Sequence, residues 1–464
     1  MYNMEMNQRM SKRFAWLLGV VVLVAIGLLV ACGTTYNSSF DGLVLVSSQG
    51  SGLLESFSFS LSSGSIAAVT NPPSQTGDLT CVLNGIPSSI VADPAGAYAY
   101  TIITANKSDC GSSSTATGIA AFKINSDGTM TSSGSLVPDP NPMRLLMDST
   151  GKYLFVAEGL NSIPNAPYVA TPGPCPGTTH QYGVCVYAIS SGNLTPVPGT
   201  FNFALPAGSE FEQPNFTAVA VTPMVLPPLV NGVQQAVCSS PGNNPPTSEY
   251  LYAADSVNNV VWEFKVDPST GVLGNPPNRN QVPYFPSPLV PPTGPALSVP
   301  AGVAVDACNR FVYVSNNLQN TVSAYTMCNG MPTASAQYCP TTADGSLVAV
   351  TGSPFNLSGG ANGPGQMMTD PFGNYLYVLD LLSNQISIFR ISPVSGSLTA
   401  DTPAVVATGL QPTSFAIRSD DNWLFVANFQ SATLSQYTIT PSTGALTPLP
   451  VTTTDNYPWG VAVK

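Results

Sequence analysis

The chain has 464 residues, with 13 Lys or Arg against 24 Asp or Glu and a formal net charge of −11. So few cations on so large a surface argue against nucleic acid and against anionic membrane surfaces as partners. Charged residues make up only 8% of the chain, Gly and Pro are abundant, and no long stretch carries apolar spacing of period 3.6, so the chain is an all-β candidate with turn-rich connections.

The N-terminal 31 residues read as an export signal and stand outside any fold argument. Arg9, Lys12 and Arg13 form a charged start, Phe14 to Val30 is an apolar run, and Leu29-Val30-Ala31 places small residues ahead of Cys32. The tetrapeptide ending in Cys32 resembles a bacterial lipobox, which implies cleavage before Cys32 and diacylation of that residue. An uncleaved transmembrane anchor is the alternative, since the run is just long enough to cross a bilayer, but an anchor needs no Cys at that offset. Either way the rest of the chain is expected outside the cytoplasm. Gly33 stands where an Asp would signal inner-membrane retention, so the expected site is the outer membrane of a Gram-negative envelope, held through the lipid alone. Residues 32–40 then form the lipidated end and a short tether.

Residues 41–464 repeat one phrase. Each unit opens on Pro, runs six positions to Asp through an apolar stretch, turns, and returns along a Tyr-, Phe- and Val-rich strand. Pro87 and Asp93, Pro142 and Asp148, Pro300 and Asp306, and Pro364 and Asp370 keep this step, and Pro412 keeps it with Arg418 in the Asp place. Between the units opening at Pro142 and Pro300, the stretch from Pro214 to Pro223 is two residues out of step, and an insertion from Met224 to Ser248 precedes Glu249 to Asp255. The final unit, Pro458 to Lys464, stops where its turn should come. Its returning strand is expected at the other end of the chain, in Leu43 to Ser48, with Leu54 to Ser60 and Ile66 to Thr70 as successors. Repetition at a period of roughly 45 to 85 residues, with several strands per unit, predicts a radial β-propeller. The expected fold is one domain of seven four-stranded antiparallel blades, closed by the C-terminal strand joining the N-terminal blade, which removes the open sheet edges.

Tyr313-Val-Ser-Asn316 and Phe425-Val-Ala-Asn428, the Asp-Pro-x-Gly turns, and the Ser-Thr-Gly-x-Leu turns at Ser269 to Leu273 and Ser442 to Leu446 resemble the YVTN-repeat propellers and the wider lactonase-type seven-bladed family, which includes 6-phosphogluconolactonase-like proteins. The resemblance covers essentially residues 41–464. It specifies strands and turns, and hence fold, more than activity.

Eight cysteines follow Cys32, an even number in an oxidising compartment, so a disulfide framework is expected. If the face carrying each opening Pro is called upper, nearest pairing places Cys81 with Cys110 and Cys175 with Cys185 on the upper face, and Cys238 with Cys308 and Cys328 with Cys339 on the lower one. Each bridge would contribute about 3 kcal/mol by restricting the unfolded chain. Metal binding is not expected, because no Cys-x-x-Cys occurs and His180 is the only histidine. No cofactor is expected either: four Trp (Trp16, Trp262, Trp423 and Trp459) do not supply blade-repeated quinone docking motifs, and no Gly-x-Ser-x-Gly elbow or phosphate loop is present.

Strands a and b of each blade are antiparallel, so the end of b returns beside the start of a and both reach the upper channel mouth. The candidate ligand-binding rim is therefore Arg144, Gln366 and Trp459 near the opening prolines, with Glu158, Asp255, Asn316, Asp380 and Asn428 at the ends of b strands. Three long insertions, 106–117, 160–183 and 275–299, lie on the same face, where specificity tends to reside. Arg144 and Glu158 face each other across their hairpin, either as an anchor for a carboxylate or phosphate or as a structural ion pair. The resemblance implies a catalytic His just inside a strand a, but the residues after the opening prolines are Ser88, Met143, Ala301, Gly365, Thr413 and Trp459. A lactonase here would need Glu158 or Asp380 as the base, with Arg144 polarising the carbonyl. The function expected first is a non-catalytic, lipid-anchored monomer whose upper face binds a small molecule, a glycan or an envelope protein. The alternative is a sugar-lactone hydrolase, with export weighing against phosphorylated substrates.

Overall fold

Apolar and polar residues alternate in short runs broken by Asn, Gly and Pro, and among the described residues these runs fold as thirty β-strands in seven antiparallel sheets, the blades of a propeller. The computed structural model describes residues 41–50, 52–69, 85–105, 117–139, 142–159, 183–197, 215–222, 249–274, 299–328, 345 and 347–464.

Blade 1 joins β1 (Gly42–Ser48), β2 (Leu53–Phe59) and β3 (Ile66–Ala68) to the last strand of the chain, β30 (Pro458–Val463), in the order β3-β2-β1-β30. Blade 2 holds β4 (Gly85–Ala92), β5 (Tyr98–Ala105), β6 (Gly118–Ile124), β7 (Met130–Ser132) and the short β8 (Val137–Pro138). Blade 3 holds β9 (Pro142–Met147), β10 (Tyr153–Glu158), β11 (Val184–Ser190) and β12 (Asn193–Pro196), and blade 4 holds β13 (Phe216–Val221), β14 (Glu249–Asp255) and β15 (Val260–Val266). Blade 5 holds β16 (Pro300–Val305), β17 (Phe311–Asn316), β18 (Thr321–Met327), β19 (Leu347–Ala349) and β20 (Phe355–Asn356). Blade 6 holds β21 (Pro364–Thr369), β22 (Tyr375–Asp380), β23 (Gln385–Ile391) and β24 (Leu398–Ala407). Blade 7 holds β25 (Pro412–Ile417), β26 (Trp423–Asn428), β27 (Thr433–Thr440), β28 (Ala445–Pro448) and β29 (Thr452–Thr453).

The closure expected from the sequence is present. β30 pairs antiparallel with β1 in the register Val44 with Val463, Val46 with Val461 and Ser48 with Pro458. Beyond the strand ends, Lys464 N–H donates to Leu43 O at 2.9 Å and Gln49 N–H to Tyr457 O at 2.9 Å. The irregular blade starts later than the prolines suggest: Phe216, not Pro214, takes the opening register opposite Asp255, and Thr222 takes the Asp place. Three strands of this blade fall among the described residues, because residues 275–298 beyond its isolated Val266–Leu273 bridge are not described.

The repeated Asp is a turn cap. Its Oδ1 accepts from the backbone that begins strand b: Tyr98 N–H to Asp93 at 3.1 Å, Tyr153 N–H to Asp148 at 2.7 Å, Phe311 N–H to Asp306 at 2.8 Å and Tyr375 N–H to Asp370 at 2.7 Å. In blade 4 the Thr222 hydroxyl does the same for Tyr250 N–H at 2.9 Å.

Seven apolar clusters, one at each blade interface, form the core. Four of these interfaces are bolted by a side chain that reaches into the next blade. Tyr252 Oη donates to Gly345 O at 2.7 Å, Tyr313 Oη to Gly396 O at 3.2 Å and Tyr377 Oη to Gly444 O at 2.9 Å. Phe425 occupies the equivalent place in blade 7 and has no hydroxyl. Gln436, its register partner on the neighbouring strand, donates instead to Gly64 O of blade 1 at 2.8 Å. The receiving turns need glycine on two counts. Gly396 and Gly444 have φ of +74° and +70°, and a Cβ would lie 2.4 Å from Phe311 and 2.3 Å from Tyr375.

Cys185, Cys308 and Cys328 are disulfide-bonded. Their partners, and the pairings expected with Cys81, Cys110, Cys175, Cys238 and Cys339, lie outside the described residues, as do the leader, Cys32 and the tether.

Several acids are buried by this packing. Burial raises Asp370 to about 6, burial and then Asp148 raise Glu249 to about 8, and burial followed by Asp370 and Asp420 raises Asp421 to about 8. The folded chain thus holds protons that the unfolded chain releases. The stabilisation is complete below the ordinary carboxylate range and is lost as pH rises through 6 to 8. The thermal midpoint should therefore be higher at pH 5 than at pH 9 by several degrees, and Asp421→Asn, whose left-handed backbone (φ +55°) Asn tolerates, should flatten that slope. A midpoint that rises from pH 5 to pH 9 would contradict this assignment. Urea unfolding tests the bolts: Gly396→Ala should destabilise by about 2 kcal/mol or more, whereas Gly360→Ala, at the same φ of +74° but with nothing within 4 Å, should cost about 1 kcal/mol through backbone strain alone. Equal losses would show that the contact with Phe311 contributes nothing.

Candidate functional site

The inner strands β4, β9, β13, β16, β21, β25 and β30 stand side by side around a central channel of about 470 Å³. A strand sends alternate side chains to opposite faces, so each inner strand gives one set to the channel and one to the blade interface. The channel wall is mainly apolar in its lower part, with Met147, Val221, Val305, Ile417 and Val463 near the ends of the inner strands. Polar groups gather towards the upper end at Ser89, Arg144, Thr217, Gln366 and Ser414, and Arg144 is the only charged side chain in the lining among the described residues.

Arg144 is half-buried, and its Nε donates to Thr217 O of blade 4 at 3.3 Å. Desolvation by the channel wall lowers its pKa, and a guanidinium remains cationic nonetheless. Gln366 bridges blades: its Nε2 donates to Phe415 O at 3.1 Å and its Oε1 accepts from Phe415 N–H at 2.9 Å. Thr217 Oγ1 donates to Pro300 O at 2.7 Å and Ser89 Oγ accepts from Leu145 N–H at 3.1 Å. Arg144 is thus the member of this ring whose charge has no counter-ion among the described ion pairs, which are Arg310–Asp306, Arg390–Asp401 and Arg418–Asp420.

The Arg144–Glu158 hairpin pair does not form. Register puts Arg144 opposite Ala157, so the adjacent Glu158 projects from the other face of the sheet. There it is fully buried beside Asp139, whose Oδ2 accepts from Tyr187 Oη at 3.1 Å. Burial, and then the charge and hydrogen bond of Asp139, raise Glu158 well above the ordinary carboxylate range. Donor atoms of Asp139, Glu158 and Cys185 lie within 4.8 Å of one another, a spacing that suits a metal, but the oxidised Cys185 has no thiolate to offer.

The other b-strand ends are buried as well, each holding the turn to the next strand. Asp255 accepts from Asn215 N–H at 3.0 Å and from Trp262 Nε1 at 3.0 Å, and Asn316 Nδ2 donates to Thr321 Oγ1 at 2.9 Å and Ser323 Oγ at 3.0 Å. Asn428 Nδ2 donates to Ser435 Oγ at 2.9 Å, while Asp380 Oδ2 accepts from Ser387 Oγ at 2.7 Å and burial raises its pKa to about 7. Of the eight candidate binding residues, Arg144 and Gln366 line the channel, while Trp459 does not line it and adjoins Gly460, which does. Glu158, Asp255, Asn316, Asp380 and Asn428 do not line the channel, which removes Glu158 and Asp380 as bases for water in it.

Two features of this face are absent from the sequence-derived set. Tyr457 stacks on Phe429, which meets Trp459 beside the channel-lining Gly460, and Leu318, Leu382 and Leu410 stand exposed in the upper turns of blades 5 to 7. The aromatics bracketing Pro458, in Tyr-Pro-Trp, were the available signal. The insertions and His180 lie outside the described residues, apart from the end residues Thr117, Gly183 and Val299.

Comparison with known proteins agrees with this architecture. Residues 303–463 match the family model described as lactonase, 7-bladed beta-propeller. A search of curated protein sequences finds no match. Among solved structures, a candidate 6-phosphogluconolactonase of Bacteroides fragilis is 18% identical, with coverage of 92% of this chain and 99% of that one and a TM-score of 0.59. A second candidate 6-phosphogluconolactonase, from Bacteroides uniformis, is 17% identical over 91% and 99% of the two chains with a TM-score of 0.59. The periplasmic gluconolactonase of Pseudomonas aeruginosa is 18% identical over 91% and 98% with a TM-score of 0.58. The chain is a seven-bladed propeller, and its residues 303–463 are similar to the lactonase family of such propellers.

Proposed function

We propose that the protein is a lactone hydrolase that takes an unphosphorylated sugar lactone at the upper mouth of its channel. This reverses the order of the two readings drawn from the sequence. The family match over residues 303–463 and the lactonase names of its structural neighbours support the reaction class. The observation that carries the site is Arg144, a lone desolvated guanidinium in an otherwise uncharged wall. A cation so placed attracts the developing oxyanion of an attacked ester carbonyl more strongly than it would in water, and afterwards holds the carboxylate of the hydroxy-acid product. One cation suits one carboxylate better than a carboxylate and a phosphate together. Arg144 is assigned to polarisation and binding, since an arginine does not accept the proton of the attacking water. The export signal and Cys32 support a monomer held by lipid at the cell envelope.

A binding scaffold without turnover remains the second reading, favoured by the exposed Leu318, Leu382 and Leu410 on the same face. A pH-stat assay of the purified protein with glucono-δ-lactone and a panel of other δ- and γ-lactones separates the two. Turnover should appear, and Arg144→Ala should lower kcat/KM by roughly 100-fold, with Arg144→Lys recovering part of it. Hydrolysis no faster than buffer would reject the hydrolase, and an Arg144→Ala variant of unchanged rate and unchanged thermal midpoint would reject Arg144 as the group that polarises the carbonyl.

A further inference from the structure

The seam between blades 7 and 1 breaks a rule that its neighbours keep. In the turns between strands b and c, left-handed Asn259, Asn320 and Asn384, each at φ +55°, accept through Oδ1 the N–H of the residue before the next opening proline. These bonds reach Val299 N–H at 2.7 Å, Gly363 N–H at 2.8 Å and Gln411 N–H at 2.7 Å. At the seam Ala432 fills the Asn place at φ +51° and has no side-chain acceptor. The residue it would have clamped is Tyr457, held at φ +59° and 49% exposed. Val299, Gly363 and Gln411 take the same left-handed backbone at φ +55°, +69° and +53°, so the conformation belongs to the blade opening, and what sets the seam apart is the missing clamp and the aromatic side chain placed there.

What replaces the clamp is aromatic. The Tyr457 ring stacks on Phe429 with centroids 4.8 Å apart and planes at 29°, and Phe429 meets Trp459 edge to face at 5.7 Å and 82°. Phe429 and Trp459 are half-buried, and Trp459 adjoins Gly460, which lines the channel. The exposed residues bordering this cluster are Leu410 and the neutral amides Gln411, Gln430 and Asn456. Gln411 and Gln430 are brought alongside by the backbone bonds Phe429 N–H to Gln411 O at 2.9 Å and Gln430 N–H to Leu410 O at 3.2 Å, and Asn456 immediately precedes Tyr457.

Open aromatic faces attract polarised C–H groups, and uncharged amides match hydroxyls as donors and acceptors without demanding a charge. A pyranose ring offers both, a C–H face and a hydroxyl rim, whereas an anionic ligand would find no cation here. We infer that Phe429, Tyr457 and Trp459 form a stacking subsite for a pyranose ring on the rim of the channel, adding sugar selectivity to the mouth. This rests on the reading of the upper mouth as the ligand-binding end.

The test uses neutral pyranosides that are neither lactones nor acids. Tryptophan fluorescence of the full protein is titrated with methyl β-D-glucopyranoside and with cellotriose, and gluconate serves as an open-chain acid. Trp262 and Trp423 are buried, so Trp459 is the described tryptophan placed to respond. Both pyranosides should change the emission, and Tyr457→Asn, which keeps a residue tolerant of the left-handed backbone while removing the ring, should weaken their binding roughly fivefold or more, as should Trp459→Leu when read by isothermal titration calorimetry, since that variant lacks the reporting indole. Arg144→Ala should leave pyranoside binding unchanged and abolish that of gluconate. Pyranoside binding that survives Arg144→Ala supports the subsite even if no lactone is hydrolysed. Lactone turnover without any pyranoside response, or a response that Tyr457→Asn and Trp459→Leu leave unchanged, overturns the subsite and leaves the hydrolase standing.

Discussion

The antiparallel pairing of Pro458–Val463 with Gly42–Ser48 is the contact on which the molecule depends. Seven sheets stacked face to face would otherwise form an open fan with an exposed strand at one end, where a row of unpaired N–H and C=O groups invites a second chain. Pairing the two ends turns the fan into a ring. The ring in turn makes the channel, because its wall is the set of innermost strands and β30 is one of them. A fold held this way is cooperative around its circumference, since each blade interface presupposes the closure of the whole.

Closure is supported by polar side chains used again and again for the same purpose. The Asp after four of the inner strands caps a turn, the Asn or Asp ending several of the next strands holds another, and Tyr252, Tyr313 and Tyr377 reach into glycine turns of the following blades. Buried donors and acceptors are costly unless paired, so these groups are committed to the scaffold. The position that breaks each rule is supplied differently at the seam, where Gln436 stands in for a tyrosine hydroxyl and an aromatic cluster stands in for an asparagine clamp. What distinguishes this chain from a generic propeller is therefore concentrated in few places: Arg144 in the channel wall, and Phe429, Tyr457 and Trp459 at the seam of blades 7 and 1.

This division explains why the five acids and amides at strand ends misled a reading from sequence. They recur in phase with the blades because each blade needs its turn held, and periodicity by itself cannot tell a repeated ligand from a repeated cap. Glu158 shows the limit most plainly. Its separation along the chain from Arg144 is that of a hairpin pair, but the register sets Arg144 against Ala157, and a strand that turns one residue turns its side chain to the opposite face.

From the sequence alone came the class of fold, the strands, the number of blades and the seal between the two ends of the chain, because alternation, proline and asparagine act over a few residues and repeat at each blade. The later start of blade 4 at Phe216 was obscured only because Pro214 mimicked the local signal. Which side of each strand faces the channel, and so which polar residues meet there, was decided by the tertiary structure. Register and packing depend on bonds between residues far apart in the chain, such as Val44 with Val463 and Phe429 with Tyr457, and no short stretch of sequence contains both partners.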